Sequence, residues 1–334
     1  MDLLEFQPGA AGDAALRVEL EKIDGLVLGN DGETSATPRL KEEREVSLLD
    51  CARASGVSVI GIRQGQPAID LGADAKDRFL MSRDGTLLAS LAWHQLGEWV
   101  RQNWSGKRLL LDLTSLSGSS LFQLYAATEK VGCAVSYLYS SPQSYPQVAH
   151  PDDYPPLITR SIKQPHGYRS FAQEHTQGSR RHIIVLGFDR HRPNKFIEHY
   201  QWPTEEVHAI IGQPAYVEGG EKQAELSLGP VFAELQRIRH VHTVDPKLPA
   251  RIAGVEGVSE LIASIAAGAA VVDLVPLGPK PTLLGCLLYW HGLEESARER
   301  VRFLYDFPVT RAIRTLGVGP RWLYRDVLPR PTES

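Results

Sequence analysis

Leu110-Leu111-Asp112-Leu113-Thr114-Ser115-Leu116-Ser117-Gly118-Ser119 and Val271-Val272-Asp273-Leu274-Val275-Pro276-Leu277-Gly278-Pro279-Lys280 read as two copies of one element. In each, an apolar strand delivers an Asp, a small-residue turn follows, and an apolar helical run comes next. Each run closes on a strand ending near Leu-Tyr and Pro, at Val135–Pro142 and at Val301–Pro308. A repeat of this kind fixes an architecture before any motif is considered.

The likeness extends upstream. Leu26-Val27-Leu28-Gly29-Asn30-Asp31 matches Ile184-Val185-Leu186-Gly187-Phe188-Asp189 at an offset of 158 positions, against 161 for Asp112 and Asp273. Val57–Ile62 matches Val207–Gly212. Strands alternating with helices imply parallel pairing through right-handed crossovers. The expected fold is therefore α/β: two tandem Rossmann-like lobes with mainly parallel sheets, related by internal duplication. The lobes are expected over residues 1–150 and 178–334, with a Pro-rich connection over 151–177.

The remaining segments fill in that plan. Leu87, Leu88, Leu91, Trp93, Leu96, Trp99 and Val100 fall near helical spacing, so residues 83–104 are predicted as one amphipathic helix. Pro230–His240 is a second helix candidate. Ser259 is placed as the cap of a helix reaching Ala267. Thr310–Pro329 is read as a short helix followed by the strand Arg321–Arg325.

Composition bounds the function. The chain has 334 residues, 43% hydrophobic and 23% charged, with a net charge of −4. That is ordinary for a globular protein, and no global positive field points to nucleic acid. Cys51, Cys133 and Cys286 lie in apolar runs, as reduced core residues of a cytoplasmic protein do. The N-terminus has no signal-peptide pattern, and the most apolar stretch, Leu261–Leu277, is broken by Asp273 and Pro276. Neither a membrane association nor a cofactor is expected.

Four turns are candidate sites, because ligands of parallel sheets gather at strand carboxyl ends, where helix N-termini favour anions. Thr114, Ser115, Ser117, Gly118 and Ser119 combine hydroxyls with a close backbone, or simply cap a helix. Gly278 and Lys280 put a cation at a helix start, as a phosphate ligand or an exposed lysine in a stiff turn. Gly187, Asp189, Arg190, His191 and Arg192 form a dense charged loop, suited to phosphate or to internal ion pairing. Within it Asp189 and His191 are the candidate acid and base. Gly29–Glu33 is the acidic counterpart in the first half. His240 and His242 alternate on a strand, without companions at metal spacing in the sequence. No Walker loop, dinucleotide fingerprint or nucleophile elbow is present.

The paired pattern resembles the CARF and SAVED sensor domains of prokaryotic defence systems. Many of these carry a Gly-Thr-Lys-like turn before a small apolar helix. Gly278-Pro279-Lys280-Pro281 followed by Leu283-Leu284-Gly285 is similar, with Pro279 in place of the usual Thr. Thr114–Ser120 occupies the matching turn of the first half, without a lysine. The resemblance implies a nucleotide-derived, phosphate-bearing ligand bound across two lobes, and action through a separate effector protein. The alternatives are an enzyme acting on a nucleoside or phosphorylated substrate, and a non-catalytic scaffold.

Overall fold

A computed structural model of the chain describes residues 2–29, 43–64, 78–83, 86–144, 166–167, 178–187, 191–212, 215–216, 238, 240–306 and 317–328. The chain divides into two compact units, Met1–Ser144 with Thr315–Ser334, and Tyr145–Arg314.

The elements of the first unit are β1 (Asp2–Phe6), α1 (Ala10–Leu20), β2 (Gly25–Gly29), α2 (Glu43–Ala54), β3 (Val59–Gln64), β4 (Arg78–Arg83), β5 (Thr86–Ala92), α3 (Leu96–Trp104), β6 (Arg108–Asp112), α4 (Gly118–Lys130) and β7 (Ala134–Ser140). The last is β14 (Arg321–Leu328), contributed by the far end of the chain. Its sheet runs β1-β14-β7-β6-β2-β3-β4-β5. The central pairs β3/β2, β2/β6 and β6/β7 are parallel. β2 (Gly-Leu-Val-Leu-Gly) is buried throughout, as expected of a strand covered on both faces. Leu16 and Leu20 of α1 and Leu48, Cys51 and Ala52 of α2 pack against Leu26, Leu28, Leu110 and Leu138 to form one core.

The second unit contains β8 (His166–Gly167), β9 (Arg180–Leu186), α5 (His191–Tyr200), β10 (Val207–Ile211), β11 (His240–Thr243), α6 (Val258–Ala266), β12 (Val271–Pro276), α7 (Lys280–His291), α8 (Glu295–Arg298) and β13 (Val301–Tyr305). Its sheet runs β11-β10-β9-β12-β13-β8, parallel except for the short edge strand β8. Counting from β9, the parallel strands lie in the order 3-2-1-4-5, the Rossmann winding. Phe196 of α5 and Trp202 cover Ile184, Leu186, Val207, Ala209, Val275 and Leu304.

The fold class is thus α/β with two sheets of parallel centre, the first flanked on both sides by antiparallel strands, and four sequence expectations change in detail. First, residues 83–104 are not one helix. Strand β5 pairs antiparallel with β4, and only Leu96–Trp104 is α-helical. The leucine spacing suits a helix, but Asp84-Gly85 is a hairpin-turn dipeptide, and cross-strand pairing outweighs local periodicity.

Second, the tail does not belong to the second lobe. β14 pairs antiparallel with β7 and with β1, and Trp322 stacks on Tyr139 at 6.0 Å between centroids. Within the Pro-rich stretch, His166–Gly167 pairs with Leu304 and Tyr305 as an edge strand; its other residues lie outside those described. So do most of Pro230–His240 and the helix expected from Thr310.

Third, Ser259 caps nothing. A π turn over Ala253–Gly257 runs directly into α6, so that helix inherits its first hydrogen-bond partners from the turn.

Fourth, Asp112 and Asp273 are not equivalent. Val27 pairs with Leu111, and Val185 pairs with Pro276. Counted from those levels, Asp112 lies one residue beyond and Asp273 three residues before. Gly29 and Gly187, in contrast, each stand two residues past their paired level. Both halves place their second parallel strand on one side of the first and later strands on the other, an arrangement common to doubly wound sheets.

Candidate functional site

In each unit the strand order reverses beside the first parallel strand, between β2 and β6 and between β9 and β12. The turns following β6 and β12 lie at these switch points.

In the first unit the turn is closed on itself. The Asp112 carboxylate is fully buried and accepts from the backbone N–H groups of Thr114 (3.1 Å) and Ser115 (2.9 Å). Ser115 Oγ accepts from Gly29 N–H at 2.9 Å. Thr114 Oγ1 accepts from Ser140 N–H at 2.9 Å. Ser117 is the N-cap of α4: its Oγ accepts from Ser120 N–H at 3.1 Å and lies 3.0 Å from Ser119 Oγ. The capping alternative describes what Ser117 does here. Gly118 and Ser119 are buried in the first turn of α4. A side chain on Gly29 would meet the carbonyl oxygen of Ser115 at 2.1 Å, so glycine lets the two strand ends touch. Ser117→Ala is expected to cost about 1 kcal/mol of stability through the lost cap, measured by urea denaturation at unchanged m-value.

The second switch point has the same backbone approach with different side chains. A Cβ on Gly187 would meet Leu277 O at 2.3 Å, and one on Gly278 would meet Thr282 Oγ1 at 2.4 Å. Lys280 is the first residue of α7 and is half-buried. Pro281 removes one N–H from that first turn, and Thr282 N–H turns back to Pro279 O at 2.9 Å. Thr282 Oγ1 also donates to Pro279 O. The backbone donors of this helix start are thus reduced, and its sequence adds one cationic residue, Lys280.

Of the two roles its sequence allows, Arg192 takes internal pairing. It is buried in the first turn of α5, and its guanidinium forms a forked pair with the buried carboxylate of Asp306. Nε donates at 3.0 and 2.8 Å to the two carboxylate oxygens, and Nη2 donates to Oδ1. The guanidinium also sits 5.4 Å from the Tyr305 ring centroid. Arg192 thus braces α5 to the end of β13. The internal-pair reading of this loop holds for Arg192. Asp189, Arg190 and the side chain of His191 lie outside the described residues.

Two clusters escaped the sequence reading. Across the middle of the second sheet, His182, Asp273 and Arg302 are register neighbours on β9, β12 and β13. His182 Nδ1 donates to Asp273 Oδ2 at 2.8 Å, and Arg302 Nη2 donates to the same carboxylate at 2.7 Å. The His182 ring stacks on Trp202 at 4.3 Å and presents Nε2 3.5 Å from Glu206 Oε2. Burial pushes the Asp273 carboxyl up, but hydrogen bonds from His182 and Arg302 outweigh it and hold it below its ordinary value. On β10 and β11, His208, His240 and His242 stack together. Register pairing, invisible to spacing along one chain segment, brings both groups together. Among the described residues, no group of three or more His, Cys, Asp or Glu is arranged to hold a metal ion. Nor is any described helix long and apolar enough to cross a membrane.

No family model matches the chain, and no curated protein matches it. Among solved structures it is similar to one described as "Putative Universal Stress Protein from Pseudomonas aeruginosa UCBPP-PA14". The identity is 11%, over 86% of this chain and 95% of that one, with a TM-score of 0.24. A likeness at that score carries no argument, and the fold stands on strand order and register.

Proposed function

We propose that the second unit binds a nucleotide-derived anion at the carboxyl end of its sheet, and that the chain works as a sensor or regulatory subunit through a separate partner protein. One observation carries this reading. The winding reverses between β9 and β12, two glycines bring the strand ends together there, and Lys280 opens the helix that follows. Parallel sheets take their ligands at such reversals, and a lysine at a helix start supplies charge for a phosphate. The likeness of Gly278-Pro279-Lys280 to the CARF and SAVED turn favours an oligonucleotide-type messenger and a role in prokaryotic defence. Arg192, held by Asp306, is left out of the binding set.

Lys280→Ala is expected to weaken binding by about 1.5–3 kcal/mol, a lost charged hydrogen bond, or roughly 10- to 150-fold. Calorimetry on wild type and variant, across mono-, di- and cyclic nucleotides, measures it. Ligand at 100 times its Kd raises apparent stability by about 2.7 kcal/mol. Absence of stabilisation by every member of that series would overturn the reading.

A further inference from the structure

The histidines of β10 and β11 form a built arrangement. His208 pairs in register with His240, and Ile210 with His242, so all three imidazoles share one face of the two strands. The His208 and His240 rings lie 4.6 Å apart and 12° from parallel. His208 and His242 are 16° from parallel, with centroids 5.4 Å apart and His208 Nδ1 3.1 Å from His242 Nε2. Two nearly parallel rings at that centroid separation, touching nitrogen to nitrogen, lie side by side in an N–H···N hydrogen bond. Such a bond requires one nitrogen to be unprotonated. A third imidazole stacked face to face adds repulsion if a second charge appears.

We propose that this histidine stack is a proton-sensitive clasp that fixes the strand β11 to β10 at neutral pH and loosens it on acidification. With one proton too many, an N–H faces an N–H at 3.1 Å and the lateral bond is lost. The groups acting on His208 favour that sensitivity: burial, then His240 and His242 from β11, then Arg181 and His182 from β9, together push it down to about 4. Burial and His240 lower His242 in the same way. Among the described residues of β10, β11 and the turns beside them, no buried carboxylate offsets this; Glu206, just before β10, is half-buried and faces His182. Glu256 in the π turn and Glu260 on α6 are exposed, Arg251 is half-buried, and Asp245, just beyond β11, accepts from Lys247 N–H.

The sign follows from the lowered values. An unfolded histidine takes up its proton near pH 6.5, whereas folded His208 resists until about 4. Between those limits the opened state binds more protons, so the closed state loses stability as pH falls. Release has a path inward. β11 leads to Val244, which packs where a Gly257 side chain would otherwise stand, 2.6 Å from its methyl group. Loosening the strand therefore loosens the seat of the π turn.

Amide hydrogen exchange at His242 and Val244, whose N–H groups face β10, corrected for intrinsic rate, tests the clasp in the full chain at pH 7 and pH 5. Wild type is expected to lose protection on the order of tenfold at the lower pH. His242→Gln, which keeps a hydrogen-bonding amide and cannot titrate, is expected to lose much less. Equal losses in the two proteins, or none in wild type, would overturn the proposal. NMR titration of the wild-type imidazoles decides independently of any variant: a His208 ring titrating near 6.5 also refutes it.

Discussion

Replacing Asp273 by alanine is expected to destabilise the second unit by about 3–5 kcal/mol, the cost of removing one partner of a buried ion pair. The carboxylate is fully buried at the centre of the sheet and holds His182 on one side and Arg302 on the other. Without it, the His182 Nδ1–H and a guanidinium only 22% exposed lose their shared acceptor. Asp273→Asn keeps the shape and one carbonyl acceptor, and its loss is expected to be smaller. Urea denaturation with hydrogen-exchange protection of β9 and β12 as the local readout measures both. A loss below 1 kcal/mol for the alanine variant would show that the row contributes little. The pH dependence carries a matching sign. Because the folded Asp273 value is lowered, its stabilisation is complete above the ordinary aspartate range, about 3.9. It is lost as pH falls below that, through the lowered value.

Asp273 also shows how far the sequence could be read. Within Val-Val-Asp-Leu-Val-Pro it breaks an apolar run, and a strand buried on both faces admits a charge only with partners. The Asp looks like the end-of-strand Asp112, so the two were set level. Yet its partners are supplied by register, on strands entering from residues 180 and 301. No local window contains them. The same reason hid His208 as the companion of His240 and His242. The alternation of strands and helices was more legible, because apolar runs ending at Gly29 and Gly187 mark where strands stop and turns begin. The β4–β5 hairpin was masked by leucines that satisfy a helical period and a strand equally well. The return of β14 to the first sheet has no local signature, since nothing in Arg321–Leu328 marks β1 and β7 as the strands it lies between.

The second large effect is expected at Asp306. Asp306→Ala leaves the Arg192 guanidinium buried beside Tyr305 with its forked acceptor gone, at a cost of about 3–5 kcal/mol. Arg192→Leu strands the carboxylate instead and should cost a similar amount. The double variant Arg192→Leu/Asp306→Leu removes both charges and is expected to recover most of the loss, because apolar side chains often replace a buried pair without penalty. The resulting coupling, on the order of 2 kcal/mol or more, is read from a double-mutant cycle in urea. The cycle separates the two roles this arginine could hold. If Arg192 were an anion ligand, Arg192→Leu would weaken nucleotide binding at unchanged stability, and Asp306→Ala would strengthen it by freeing a cation. If it braces the amino end of α5 against the end of β13, both single variants lower stability together and the double variant restores it. Under the proposed function, binding should instead respond to Lys280→Ala, at the start of α7.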